Sequence, residues 1–145
     1  MNTNHKKLDS LFWVLRVTYG VVPIVAGLDK FFNILTNWEQ YLNPTLARFL
    51  PLSAFAFMHV VGIIEIAAGI IVLSRFTTLG AYVVSAWLAL IGLNLIFSGH
   101  YLDVAVRDVV MAVGAGSLGV LSEFLAESRS QASSYELALA KPASM

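Results

Sequence analysis

The sequence has 145 residues, of which 58% are hydrophobic and only 12% are charged. Its mean hydropathy of +0.76 is too high for a water-soluble domain of this size, so the composition favours an integral membrane protein. Nine basic residues balance nine acidic ones, which argues against a nucleic-acid partner. The absence of cysteine excludes disulfides, thiolate metal sites and iron–sulfur clusters. Any redox role would therefore need an electron carrier from another protein.

Four apolar segments are long enough to cross a bilayer, which takes roughly 20 residues at about 1.5 Å each. They cover residues 11–35, 54–74, 78–98 and 103–124. The first is longer than a signal-peptide core, so we expect it to be retained as a helix. The turns after the second and third segments are short, which makes neighbouring helices antiparallel. The sequence predicts an all-α fold, an up-down bundle of four transmembrane helices in one domain over residues 1–127.

Two segments lie outside the predicted spans. The longest connection, residues 36–53, contains Trp38, Tyr41, Phe49 and two prolines, which predicts an interfacial cap on the bundle. Residues 128–145 form a polar tail rich in Ser and Ala, and we expect it to be mobile apart from a short helix around residues 135–140.

The distribution of basic residues predicts the orientation. Lys6, Lys7, Arg75 and Arg129 flank one end of the spans, whereas Arg48 is the main basic residue in the loops at the other end. The positive-inside rule then places both termini in the cytoplasm. The expected location is a bacterial cytoplasmic (inner) membrane, with lipid as the immediate partner.

Residues at alternating steps of three and four in the first and fourth spans lie on one face of each helix. The stripe of the first span is small in the middle and cationic at both ends, and the stripe of the fourth span predicts close packing of another helix. Arg16, near the cytoplasmic end, is expected to reach lipid phosphate. The two stripes consist of Arg16, Gly20, Pro23, Gly27 and Lys30, and of Asp108, Ala112, Ala115, Gly119 and Ser122.

Polar side chains inside the spans are the candidate site residues, because an ionisable group costs about 2.5–3.5 kcal/mol at the centre of a spanning helix. Glu65 lies near the middle of the second span, on a face with Gly62 and Gly69. The other polar residues fall within roughly 5–10 Å of the outer boundary at 1.5 Å per residue. The candidate ligand-binding set is Lys30, Glu65, Asn94, Arg107, Asp108, His59 and Asp29.

Within this set, Glu65 and Asp108 are candidates for a proton relay. A purely structural alternative stays open, in which Asp29 pairs with Lys30, Arg107 pairs with Asp103 or Asp108, and these pairs only fix the helix register. No pair of histidines has the spacing of metal ligands, so no metal site is expected.

The sequence resembles the DoxX-like membrane proteins at several short motifs. Residues 27–31, Gly-Leu-Asp-Lys-Phe, look like the G-x-x-K-[LF] signature of that family, and Glu65 with Gly69 resembles its E-x-x-x-G motif. The apolar run that follows, the basic turn at residues 73–76 and the small pair at residues 80–81 are also similar, and residues 112–116 agree less specifically. The resemblance extends over about residues 11–123, with Lys30 and Glu65 at family positions.

The resemblance implies a four-helix membrane protein, and some members of the family are subunits of redox complexes that pass electrons to quinone. The leading hypothesis is a DoxX-like subunit that anchors a redox partner or holds a quinone-like molecule in an outer-half polar pocket, without a cofactor of its own. One alternative is a small carrier or binding protein for a lipophilic substrate, as a self-associated oligomer. Another is a structural subunit of a larger membrane complex. The sequence leaves open whether the protein is an enzyme.

Overall fold

The computed structural model describes residues 3–140, and this part of the chain is mostly helical. Four helical segments within it are long and apolar enough to cross a membrane, namely Lys6–Phe32, Ala54–Leu73, Thr77–Ser98 and Leu102–Leu139. The predicted all-α bundle of four long apolar helices is confirmed. The α-helices are α1 (Thr3–Phe32), α2 (Pro44–Phe49), α3 (Ala54–Leu73), α4 (Thr77–Ser98) and α5 (Leu102–Ala140), and a 3₁₀ helix covers Trp38–Tyr41.

The four long helices form an antiparallel bundle built from two close pairs. α1 packs along α3, and α4 packs along α5. The contact between α3 and α4 joins the pairs, and α1 also touches α5. The turn from α4 to α5 begins at Gly99, whose φ of 69° lies in the left-handed region that glycine enters without steric cost.

Close approach of α1 and α3 depends on glycine. A Cβ on Gly27 would lie 2.5 Å from the Gly62 carbonyl oxygen, and a Cβ on Gly62 would lie 2.6 Å from the Gly27 carbonyl oxygen. One helix backbone therefore rests directly on the other, which no larger residue permits. The stripe predicted on the fourth span also faces the interior, because Asp108, Ala112 and Ala115 are buried.

Arg16 caps the end of α3. Its Nε donates to the Val72 carbonyl oxygen at 3.2 Å, and its Nη2 donates to the carbonyl oxygens of Leu73 and Ser74, at 2.7 Å in each case. The last carbonyls of a helix have no partner inside that helix, so the guanidinium satisfies them. Arg16 makes this contact in place of the lipid contact expected from the sequence.

Large apolar side chains cover the outside of the bundle. Leu90, Val110, Val113 and Phe97 are all exposed. A contiguous apolar exterior of this kind is typical of a surface that faces lipid. Together with the four long apolar helices, it makes this chain an integral membrane protein.

The last helix is longer than its apolar part. α5 continues without a break to Ala140, whereas the sequence predicts a short separate helix around residues 135–140. Arg129 Nη2 lies 3.1 Å from Asp9 Oδ1, so the start of this extension lies beside the start of α1. The mobility of the tail stays a prediction, and residues 1–2 and 141–145 of the predicted domain and tail lie outside the described residues.

Candidate functional site

An ion pair between α1 and α3 lies at the centre of the candidate site. Lys30 Nζ is 2.5 Å from Glu65 Oε2, and the two side chains are only 4% and 10% exposed. Side chains lean toward the N-terminus of their helix. Because α1 and α3 are antiparallel, the Lys30 and Glu65 side chains lean toward each other, and the lysine stem spans the remaining distance.

Trp38 covers one side of this ion pair, at the end of the bundle where α1 ends and α3 begins. Lys30 Nζ lies 3.6 Å from the centroid of the Trp38 ring, a cation–π contact. The indole Nε1 donates to Asp29 Oδ2 at 2.7 Å. Asn37 caps the N-terminus of the 3₁₀ helix that carries Trp38, because its side chain accepts from the backbone N–H of Glu39. The predicted interfacial cap therefore folds back onto a buried charge.

Asp29 organises the chain after α1. Its carboxylate accepts hydrogen bonds from the backbone N–H groups of Ile34 at 3.0 Å and Leu35 at 3.1 Å, as well as from Trp38. Charge-assisted bonds of this type hold a turn firmly. Lys30 pairs with Glu65, so Asp29 holds the covering segment in place and is not the ion-pair partner of Lys30 that the structural alternative assumed.

Trp87 contributes a buried polar atom without a well-formed hydrogen bond. Its Nε1 meets no acceptor of good geometry among the described residues, but it lies close enough to the Glu65 carboxyl to interact with it. A buried donor that is incompletely paired costs part of the free energy of a lost hydrogen bond. A better-placed acceptor that entered the site would therefore gain from this N–H.

Asp108 is the second buried carboxyl. Its side chain is 8% exposed, and Arg107 Nε lies 3.3 Å from its Oδ1, while the Arg107 side chain is 60% exposed. Asp108 lies within electrostatic range of both Lys30 and Glu65. The Lys30 ammonium thus pairs directly with Glu65, whereas Asp108 pairs with the exposed Arg107 and feels the ammonium only through space.

The remaining candidates lie around this group. His59 Nδ1 donates to the Phe55 carbonyl oxygen at 2.7 Å, and its ring packs against Phe31 and Phe55. Asn94 is partly buried in the last turns of α4. The structure brings Asp29, Lys30, Glu65 and Asp108 close together, with Arg107 at the edge. It does not bring His59 into direct contact with the ion pair.

Two tryptophans complete the site and were not among the predicted site residues. Trp38 looked like an interfacial aromatic, and Trp87 differed from the other belt residues only because it lies inside the third span. A tryptophan deep in a spanning helix places an N–H where no water can satisfy it. The position of Trp87 inside the third span was therefore the sequence feature that could have identified it as a site residue. We define the polar centre as Lys30, Glu65, Trp38, Trp87 and Asp108.

The sequence matches no family model, and no curated protein and no solved structure matches it either. The family resemblance therefore rests on the motifs alone. Among the residues that the structure describes, no group of three or more His, Asp or Glu side chains could hold a metal ion.

Two surface clefts lie outside the polar centre. A cleft of about 210 Å³ lies between the covering segment and the turn from α4 to α5, lined by residues that include Gln40, Tyr41, His100 and Tyr101. A shallow apolar groove follows α5 at Gly116, Val120 and Phe124. Neither cleft contains a residue of the polar centre.

Proposed function

We propose that this protein is a small membrane subunit that binds a quinone-like molecule at the polar centre and anchors a redox partner. The observation that carries the proposal is the Trp87 Nε1, which is buried beside the Lys30–Glu65 ion pair without a well-formed hydrogen bond. A quinone carbonyl is a hydrogen-bond acceptor on a flat, lipophilic ring. Such a group would satisfy this N–H and would lie within reach of an ammonium.

The charges of the polar centre suit proton-linked chemistry. Quinone reduction takes up electrons and protons together, and the electrons would come from a cofactor-bearing partner, because this chain contains no cysteine ligand for a cluster. Glu65 and Asp108 are the candidate proton relay. Asp108 contacts Arg107, and this guanidinium would hold the Asp108 carboxyl in place.

The extension of α5 supports the anchoring part of the proposal. Tyr135, Leu137 and Leu139 are exposed on it, and an isolated helical segment of this length gains stability by packing against another surface. With both termini in the cytoplasm of a bacterial cell, as Lys6, Lys7, Arg75 and Arg129 favour, this surface would meet a cytoplasmic partner.

The DoxX-like resemblance supports the same proposal from the motifs. Lys30 and Glu65 are the two charged residues that match family positions, and they form the ion pair. Subunits of quinone-linked redox complexes occur in that family. The two alternative functions are a carrier for a lipophilic substrate and a structural subunit. The binding experiment below distinguishes them from the proposed function.

The sharpest single substitution is Trp87→Phe, which removes the buried N–H and keeps an aromatic ring. Because Nε1 makes no well-formed hydrogen bond in the free protein, the variant should keep most of its thermal stability. It should lose about tenfold in affinity for an alkyl benzoquinone, the worth of one hydrogen bond. Isothermal titration in lipid nanodiscs measures both affinities, with the exposed Trp13 as a matched Trp13→Phe control.

The ion pair needs a control that separates folding from binding. Glu65→Gln should keep the fold and abolish binding of the benzoquinone. The double variant Lys30→Met/Glu65→Leu replaces the pair by apolar groups of similar volume, which is often neutral for stability. It should fold and fail to bind. Wild-type affinity in Trp87→Phe and in the double variant would leave the pair with a structural role and contradict the proposal.

A further inference from the structure

The polar centre lies beneath a cover formed by residues 33–42, which we name the cap segment. Its Trp38 ring lies on the Lys30 ammonium, and its Leu42 is buried. Glu65 and the Trp38 ring thus occupy two sides of this ammonium. A ligand can approach the ammonium from outside only after the ring has moved.

The cap segment is attached to the bundle mainly through Asp29 and Tyr101. Trp38 Nε1 and the backbone N–H groups of Ile34 and Leu35 donate to the Asp29 carboxylate, and the Tyr41 ring packs on the Tyr101 ring with centroids 4.7 Å apart. Most of its other side chains are exposed, among them Asn33, which has a φ of 50°. A segment with few buried contacts opens locally at a lower free energy than the helices beneath it.

A cleft leads to the edge of this segment. The space of about 210 Å³ is lined by Gln40 and Tyr41 of the cap segment and by His100 and Tyr101 of the turn from α4 to α5. It therefore lies beside the same residues that would move. A flat ring held there would be next to Tyr41, whose ring centroid is 6.1 Å from that of Trp38.

We propose, resting on the function proposed above, that the cap segment is a gate, and that a quinone-like ligand reaches Lys30 from the outer interface by displacing the Trp38 ring. The ligand carbonyl then accepts from the ammonium in place of the ring contact, while Glu65 keeps its bond. Asp29 holds the gate closed through the Trp38 N–H. Trp38 and Asp29 act here as positioning residues.

A reversible cross-link tests the gate, because the chain has no cysteine of its own. Tyr41→Cys/Tyr101→Cys, joined by a reducible bis-thiosulfonate reagent, ties the cap segment to the turn. We expect an alkyl benzoquinone to bind at least tenfold more slowly, with full recovery after reduction. A matched pair at the other end of the bundle is Thr78→Cys/Ser122→Cys, since the native hydroxyl oxygens lie 2.9 Å apart. Cross-linking there should leave the binding rate unchanged.

Hydrogen exchange tests the gate without a ligand. The backbone N–H groups of Ile34 and Leu35 are held by Asp29, so they report opening. They should exchange at least tenfold faster in Trp38→Ala than in the wild type, and amides in the middle of α3 should not change.

The outcomes separate the two proposals. Equal binding rates before and after cross-linking at positions 41 and 101 would overturn the gate and leave the ligand site standing. If the benzoquinone does not bind the uncross-linked protein, the proposed function fails, and exchange then decides the gate alone. The gate would be overturned if Ile34 and Leu35 exchanged as slowly as amides in the middle of α3, both in the wild type and in Trp38→Ala.

Discussion

Removing one partner of the buried ion pair should destabilise the bundle strongly. In Lys30→Met the Glu65 carboxyl would lose its 2.5 Å contact with the ammonium. In Glu65→Leu the Lys30 ammonium would lose its carboxylate partner and keep only its contact with the Trp38 ring. Breaking a buried pair from one side typically costs about 3–5 kcal/mol. We expect each single variant to lose stability in that range.

Removing both partners should restore most of the loss. Lys30→Met/Glu65→Leu leaves no unpaired charge between α1 and α3, so its stability should return to within about 1 kcal/mol of the wild type or exceed it. The coupling energy from the double-mutant cycle is then about 5 kcal/mol or more. Reversible unfolding in mixed detergent micelles measures all four proteins. Additive losses of less than about 1 kcal/mol per residue would refute a dry ion pair, because that is the behaviour of exposed charges.

Three further predictions concern packing, capping and orientation. Gly27→Ala should destabilise the bundle by about 1–3 kcal/mol, because the new Cβ would lie 2.5 Å from the Gly62 carbonyl oxygen. Gly116→Ala is the control and should be tolerated, because its Cβ would meet only the Ser85 Oγ at 3.3 Å. Equal melting temperatures for the two variants would mean that α1 and α3 are further apart. Arg16→Leu should cost about 1–3 kcal/mol by leaving the carbonyl groups at the end of α3 unpaired. An unchanged melting temperature would rule out a stabilising role for the Arg16 hydrogen bonds. Reporter fusions at both termini should give cytoplasmic signals, and an external signal from either fusion would reverse the orientation.

The helices and their interior faces could be predicted from the sequence because both depend on local patterns. Long apolar runs predict the spanning helices, and the alternating three- and four-residue spacing of Gly20, Gly27, Ala112 and Ala115 identified the faces that are buried. The end of α5 could not be predicted in this way. Residues 128–140 are polar, and hydropathy carries no information about a helix that continues into water.

The site was predicted only in part. The residue types inside the membrane identified Lys30, Glu65 and Asp108, because each is costly in lipid. Their pairing depends on helix rotation and on the direction in which the side chains lean, which periodicity leaves open. The position of Trp38 over Lys30 depends on how the loop folds back onto the bundle, and no local pattern contains that information.

Photoaffinity labelling tests the central claim, ligand binding at the polar centre, most directly. The probe is an alkyl benzoquinone with a photoreactive group on its ring, applied to the protein in lipid nanodiscs and mapped by peptide mass spectrometry. We predict labelling at Trp38 and Trp87 and on the peptides with Lys30 and Glu65. Excess unlabelled quinone should remove this labelling, which should be absent in Lys30→Met/Glu65→Leu. Labelling confined to the lipid-facing groove of α5, and insensitive to competitor, would contradict the account.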